Sequence, residues 1–374
     1  MTTVDLTDER AFAEIKRLCH AGLDPETLFR RVAEPLGRAV PFEGYAAITL
    51  DPLSNLPTNL VSNEEMGGKG EARFFIEHVY FEDDVNEYGW MAREQLAVAR
   101  LSDGTGGRLE RALRHRLHND PRGFGYELRA VLTADRSPWG GLCLVRERGG
   151  RDFDDREVAF MRRVVPPLAA GLRAATLYSE VRREPTNEET SDTAGVLVLD
   201  HRGRVTGYTR AAERWLKELG ATEAARENGS DLPAAVWSVV GALRRALGPE
   251  TTGGYPSDAP RLRVRGRSGR WLALQASLTE PRPGHHAETV VIIAPAEPRE
   301  VARLHTSAYG LSAREEEITA LVLRCASTRQ ISAALYISES TVQGHLSRIF
   351  AKAEVKSRRE LLKRLFLDNL PPNP

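Results

Sequence analysis

The sequence has few of the features by which an exported protein or an enzyme declares itself. Its three cysteines, Cys19, Cys143 and Cys325, lie far apart, and no CxxC spacing occurs. That argues against a disulfide framework or a zinc site and makes a reducing cytoplasm the expected compartment. The opening MTTVDLTDER carries neither a basic n-region nor an apolar h-region, so no signal peptide is expected. Apolar runs such as TVVIIAPA stop at strand length, far short of a membrane span. Net charge is absent too, with 52 basic against 52 acidic residues. That balance excludes a surface clothed uniformly for nucleic acid but allows a local basic patch. Lysine is scarce, six of the 52 cations, a bias that a GC-rich genome explains more simply than any binding role.

Catalytic constellations are missing as well. MGGKGE, residues 66–71, has glycines and a lysine but neither the spacing nor the Ser/Thr of a phosphate loop, and reads as a turn. His115 and His118 stand three apart on an expected helix. No carboxylate partner accompanies them, and Arg111, Arg114 and Arg116 surround them. A solvated helix face is a better reading than a metal site. FEDD, residues 81–84, lacks the alternating strands and helices of a phospho-acceptor fold and reads as surface. The expectation is a protein that is not an enzyme and carries no cofactor or metal.

What is present is ample globular sequence. The 374 residues, 41% hydrophobic and 28% charged, suffice for two or three domains with real cores. Two stretches read as linkers: RREPTNEETSDT, residues 182–193, and APAEPREVARLH, residues 294–305. In the first block AFAEIKRLCHAG and PETLFRRVAEPLG have helical spacing. YAAITLD, YELRAVLTA and WGGLCLVRE read as strands, the last two joined by a turn. The block closes on a long helix with a heptad-like stripe of Met161, Val165, Leu168, Leu172 and Ala175. The stripe fits packing on its own sheet and fits a dimer seam, and the two are compatible. Pro166 and Pro167 are expected to kink this helix. The second block opens with strands GVLVL and RVTGY around DHRG. A helix follows with Thr209 as N-cap and Gly220 as its stop, and then come RLRVRG, RWLALQASL and TVVIIAPA as strands.

The densest information lies at the C-terminal end. Ser312 precedes Glu315 by three, Ser327 precedes Gln330, and Ser357 precedes Glu360, each the pattern of a capping box. Ser338 caps a fourth helix, with Glu339 placed against its dipole. Apolar stripes follow: Ile318, Leu321 and Val322; Ile331, Ala334 and Leu335; Val342, Leu346, Ile349 and Phe350. A helix over 327–334, the turn LYIS and a helix over 339–353 make a helix-turn-helix. From residue 340 to 366 seven cations face two anions, a basic face hidden in a neutral chain. A solvated surface would explain the cations alone, but not cations, caps and core spacing together.

These residues carry three resemblances. The strands and closing helix of residues 20–180 resemble a GAF domain, and the two strands, helices and three-stranded meander of the second block resemble a PAS domain. Residues 309–366 resemble the LuxR-type helix-turn-helix domain through Leu311, Arg314, Glu315, Ile318, Ile331, Leu335, Ser338, Thr341, Val342, His345, Ile349, Lys352, Val355 and Arg358. The pattern departs at Cys325, where that family usually has glycine, and at Ala353-Glu354, usually Leu-Gly. The expected architecture is multidomain. A GAF-like α+β domain over 1–182 and a PAS-like α+β domain over 194–296, both antiparallel sheets with helices, precede an all-α four-helix helix-turn-helix domain over 306–370.

The resemblance implies a cytoplasmic transcriptional regulator. It would bind double-stranded promoter or operator DNA, as a homodimer, under a small-molecule or protein signal received upstream, and away from membranes. Carried over by position, Gln343, Gly344 and Ser347 face base edges. Thr341, His345, Arg348, Lys352 and Arg358 lie at or near phosphates, with His345 alternatively bracing its helix. A second reading is a signalling adaptor whose upstream domains bind a protein partner, with DNA contact secondary.

Overall fold

The computed structural model describes residues 3–67, 72–81, 84–135, 137–178, 193–221, 232–247, 259–281, 286–362 and 365. The first expected linker, all but the Thr193 end of it, and most of MGGKGE lie outside the described residues. The chain divides into two compact units, one built from Met1–Thr133 and Pro138–Pro295, the other from Ala296–Pro374 with the short segment Ala134–Ser137.

The first unit holds two five-stranded antiparallel sheets among the described residues. Helices α1 (Thr3–Cys19) and α2 (Pro25–Ala39) lead into β1 (Gly44–Leu50) and β2 (Pro57–Ser62). Short helices α3 (Ala72–Phe75), α4 (Tyr88–Arg93) and α5 (Leu101–Thr105) lie around β3 (Val98–Arg100). β4 (Phe124–Ala134), β5 (Ser137–Glu147) and the long α6 (Asp155–Tyr178) follow. The second sheet comprises β6 (Gly195–Leu199), β7 (Val205–Tyr208), β8 (Arg261–Arg265), β9 (Trp271–Leu278) and β10 (Thr289–Pro295), with α7 (Arg210–Glu218) and α8 (Ala234–Leu247). The sheets run β2-β1-β5-β4-β3 and β7-β6-β10-β9-β8, one strand order used twice.

Alternation gives each strand two faces. On β5, Leu142 and Leu144 point to the side covered by α2 and α6. There, with Phe29, Val32 and Leu168, they leave a void of only about 10 Å³, room for about one water. The stripe Met161, Val165, Leu168, Leu172 and Ala175 is buried in this packing, so the heptad-like pattern serves the fold of its own unit. The opposite face, carrying Gly141, Cys143 and Val145, joins a second core that runs continuously into the other sheet.

Helix α8 occupies that shared core. From Ala234 to Gly241 every residue is buried, as expected of a helix apolar on all sides. Gly241 is required there, since a Cβ would come within 2.6 Å of the Phe81 ring. Asp51, buried at the end of β1, accepts from Arg263 N (3.0 Å) and Arg263 Nη1 (3.2 Å) on β8. Arg73 lies 4.6 Å over Trp237 and donates to Arg202 O (2.6 Å).

Two short motifs depart from expectation. His115 and His118 are buried, 7% and 4% exposed, in a π-helical turn, His115–Asn119. Asp84 of FEDD is not surface either, because Arg114 Nη1 reaches its Oδ2 at 2.9 Å and the side chain is 5% exposed. Both belong to a polar cluster assembled from residues far apart in sequence. Arg114, fully buried, donates through Nε and Nη2 to Glu127 (2.9 and 2.7 Å), and Asn119 Nδ2 donates to Glu127 Oε2 (2.8 Å). Burial would raise the Glu127 pKa, but Arg114 and Arg129 outweigh it and hold the carboxyl far below its ordinary range.

The second unit is helical: α9 (Pro298–Ala308), α10 (Ala313–Leu323), α11 (Thr328–Leu335), α12 (Glu339–Lys352) and α13 (Arg358–Leu362). Helix α9 occupies much of the stretch read as a linker. Pro298 stands at its first turn, where a missing N–H costs nothing, and the Glu300 carboxylate accepts from Glu297 N–H (3.2 Å). Its Ala302 joins the core of Ile318, Val322, Ile331, Val342, Leu346, Ile349, Leu361 and Leu365. The expected stripes hold except at Ala334, which is exposed at the edge of α11.

Candidate nucleic-acid interface

Serine caps fix the start of each helix that shapes the interface. Ser312 with Glu315, and Ser327 with Gln330, form complete capping boxes. Ser338 Oγ accepts from Thr341 N (3.1 Å) and opens α12. The third expected box is half made: Ser357 Oγ accepts from Glu360 N (3.1 Å), while the Glu360 carboxylate takes Lys356 N–H instead (2.8 Å).

Helix α12 is divided lengthwise. Val342, Leu346 and Ile349 are buried, and Thr341, Gln343, Gly344, Ser347 and Arg348 are exposed. Ser347 Oγ donates to Gln343 O (3.1 Å) and Arg348 Nε to Gly344 O (3.3 Å). At Gly344 a Cβ would meet nothing within 4 Å, so no packing inside the unit calls for glycine. Gln343 Nε2 lies 3.4 Å from Thr328 Oγ1 at the start of α11. His345 is half-buried, and its Nδ1 has no partner among the described residues.

Two cations assigned to phosphates also make contacts inside the unit. Lys352 Nζ donates to Glu315 Oε2 (2.7 Å) and to Gly310 O (2.8 Å), tying the end of α12 to the start of α10. Burial opposes ionisation of Glu315, but the Lys352 bond and the Ser312 N–H prevail and its pKa is lowered. Arg358 Nη1 donates to Ala326 O (2.8 Å) and Nη2 to Thr328 Oγ1 (2.9 Å), clamping the turn before α11. Arg348 and Lys352 are exposed and Arg358 is half-buried; of the three, Arg348 is the one hydrogen-bonded to the backbone of its own helix. Lys363 and Arg364, counted in the basic excess, lie outside the described residues.

The turns place two departures from the LuxR-type pattern, Cys325 and Glu354, at left-handed positions. Cys325 (φ 59°) and Glu354 (φ 53°) adopt the left-handed conformation just beyond α10 and α12, and Tyr336 (φ 54°) does so beyond α11. A position of this kind favours glycine because it lacks a Cβ. Tyr336, 95% exposed, is a feature of the helix-turn-helix that the sequence alone did not single out.

Residues 309–365 match the family described as bacterial regulatory proteins, luxR family. Over 57 residues the chain is 47% identical to the monoamine regulon transcriptional regulator of Klebsiella aerogenes. The match covers 15% of this chain and a quarter of that protein's length. Among solved structures, a VqmA dimer of Vibrio cholerae without its target DNA aligns at 17% identity, covering 47% of this chain and 82% of that one, with a TM-score of 0.22. The E. coli DhaR(N)–DhaL complex aligns at 12% identity over 79% and 91%, with a TM-score of 0.23. Likeness at that level fixes neither fold nor function. The C-terminal unit thus contains a LuxR-type helix-turn-helix domain.

Proposed function

We propose that the chain is a transcriptional regulator that binds promoter DNA through α12 as a homodimer, under the control of its sheet-bearing unit. The observation that carries this is the divided surface of α12. Its outer face keeps Gln343, Gly344 and Ser347 exposed on a rigid, capped helix whose inner face is fully packed. Gln343 is suited to bidentate pairing with adenine and Ser347 to several bases. Gly344, needed by nothing inside the protein, lets backbone approach the groove. Thr341 and His345 lie at the flank of this face, and Arg348 supplies charge for phosphates.

The upstream unit is read as two sensor modules, GAF-like and PAS-like, an assignment supported by their helix and strand succession and by the shared strand order. A single helix-turn-helix with few base-reading side chains has modest specificity, so paired half-sites are part of the proposal.

The test is retardation of genomic promoter fragments by the full-length protein across a salt series, alongside genome-wide mapping of bound DNA. Gln343→Ala is expected to change sequence preference while non-specific affinity persists. Failure to retard any fragment at low salt, or equal loss of specific and non-specific binding on Gln343→Ala, sinks the reading. No helix among the described residues is long and apolar enough to cross a membrane.

A further inference from the structure

Tyr336 stands where nothing inside the protein favours it. Between α11 and α12 its backbone is left-handed, φ 54° and ψ 43°, a conformation costly for any residue that carries a Cβ. Packing does not offset that cost, because the residue is 95% exposed. The other exposed large apolar residues among those described reach no more than 46%, so Tyr336 stands apart from ordinary surface. Glycine or asparagine would close α11 with less strain.

The turn that carries it is firmly held. Leu335 and Ile337 on either side lie against the core of the unit. Arg314 Nη2 donates to Leu335 O (2.6 Å), and Ser332 Oγ donates to Ile337 O (2.5 Å). Ser332 O accepts from the N–H groups of both Tyr336 and Ile337. An aromatic side chain with few torsions, set on such a turn and bare to solvent, meets a partner at low entropic cost.

Its place in the fold names the partner. Two residues on, Ser338 caps α12, and Ser340, Gln343 and Ser347 follow at spacings of three and four, all exposed. In a helix-turn-helix the first helix crosses the DNA backbone and the second enters the groove. The turn joining them therefore lies at the lip of the groove. Tyrosine is among the side chains that hydrogen-bond phosphate oxygens there. The nearby charge is Glu339, exposed in the first turn of α12, so a contact at this point draws on the hydroxyl and ring and not on local positive charge.

We propose that Tyr336 is a DNA-backbone contact, its hydroxyl donating to a phosphate oxygen and its ring lying on the adjoining deoxyribose. The inference rests on the DNA-binding reading and adds to it a residue and the part of the duplex it takes. A neutral donor neutralises no phosphate, so the contact supplies affinity with neither sequence preference nor a share of the salt slope.

The experiment titrates full-length wild-type protein, Tyr336→Phe and Tyr336→Asn against a promoter fragment and a random-sequence duplex across a salt series. Tyr336→Phe keeps ring and backbone but removes the donor. It should weaken binding to both duplexes about fivefold, the loss of one hydrogen bond, with the salt slope unchanged. Tyr336→Asn removes the ring as well and should bind both more weakly still, while amide hydrogens of residues 309–365 exchange more slowly because strain is relieved. Wild-type affinity in Tyr336→Phe, the result if the ring serves a protein partner instead, overturns the proposal. A loss confined to the promoter fragment overturns it too, since the residue would then read bases. Tyr336→Phe decides the matter even if Tyr336→Asn misfolds. Wild-type protein that retards no duplex removes the DNA-binding reading itself, whereas equal retardation by wild type and variants removes this inference alone.

Discussion

Lys352 and Arg348 are four residues apart on α12 and carry the same charge, yet their partners assign them to different tasks. Lys352 is bound to Glu315 and Gly310, whereas Arg348, among the described residues, donates to the backbone of its own helix. Arg348→Ala should leave stability nearly unchanged while weakening binding to all DNA sequences and lowering the salt slope by about one. Lys352→Ala should cost about 1–2 kcal/mol of stability by leaving a buried Glu315 acceptor short of its partner, measurable as a shift in denaturant midpoint. Equal melting of the two variants would refute the distinction. The sequence could not draw it, because the partners of Lys352 lie about forty residues away. The buried cluster was hidden for the same reason: His115 and Asp84 looked solvated until Arg114 and Glu127 were placed beside them.

Cys325 makes a second case at this scale. Its left-handed backbone is strained for any residue with a Cβ. Cys325→Gly should relieve that strain and add roughly 0.5–1 kcal/mol, read from the melting of residues 309–365 by hydrogen exchange in the full chain. A loss of stability would show that the thiol makes a contact worth more than the strain.

At the scale of elements, helices whose signals are local were legible and helices defined by their surroundings were not. Helix α12 announced itself through Ser338, the 3–4 spacing of Val342, Leu346 and Ile349, and flanking cations. Helix α8 did not, since Ala234–Gly241 is apolar all round and shows no helical period. Helix α9 was mistaken for a linker because Pro298 looks like a break until it is seen to occupy a first turn. Gly344 supplies the test for α12 as an element. In open space, Gly344→Ala should stabilise the helix by about 0.5–1 kcal/mol and still reduce affinity for specific DNA. A variant both more stable and equally tight would remove the argument for close backbone approach.

At the scale of the molecule, the common core of the two sheets predicts that calorimetry of the full chain resolves two transitions. Three would mean that the sheet modules unfold separately despite α8 and the Asp51–Arg263 contact. Acid should weaken both units. Glu127 and Asp84 in one, and Glu315 in the other, have pKa values lowered by folding. Each therefore contributes stability in full above the ordinary carboxylate range near pH 4 and loses it as pH falls. Melting temperatures should drop between about pH 5 and pH 3, and Glu127→Gln should lower the pH 7 value while flattening that dependence. A pH-independent melting temperature would contradict the buried carboxylate network.

The clamp made by Arg358 has a consequence for how the protein comes into being. Ribosomes deliver chains from the N-terminus and units fold as they emerge. Every strand of both sheets is complete by Pro295. The turn ahead of α11, by contrast, awaits Arg358, and the core beneath α12 awaits Leu361 and Leu365. Synthesis therefore supplies every strand of the sheets first and leaves the proposed DNA-reading surface incomplete until translation has passed Leu365. On the proposed function, the part that governs DNA binding exists before the part that binds.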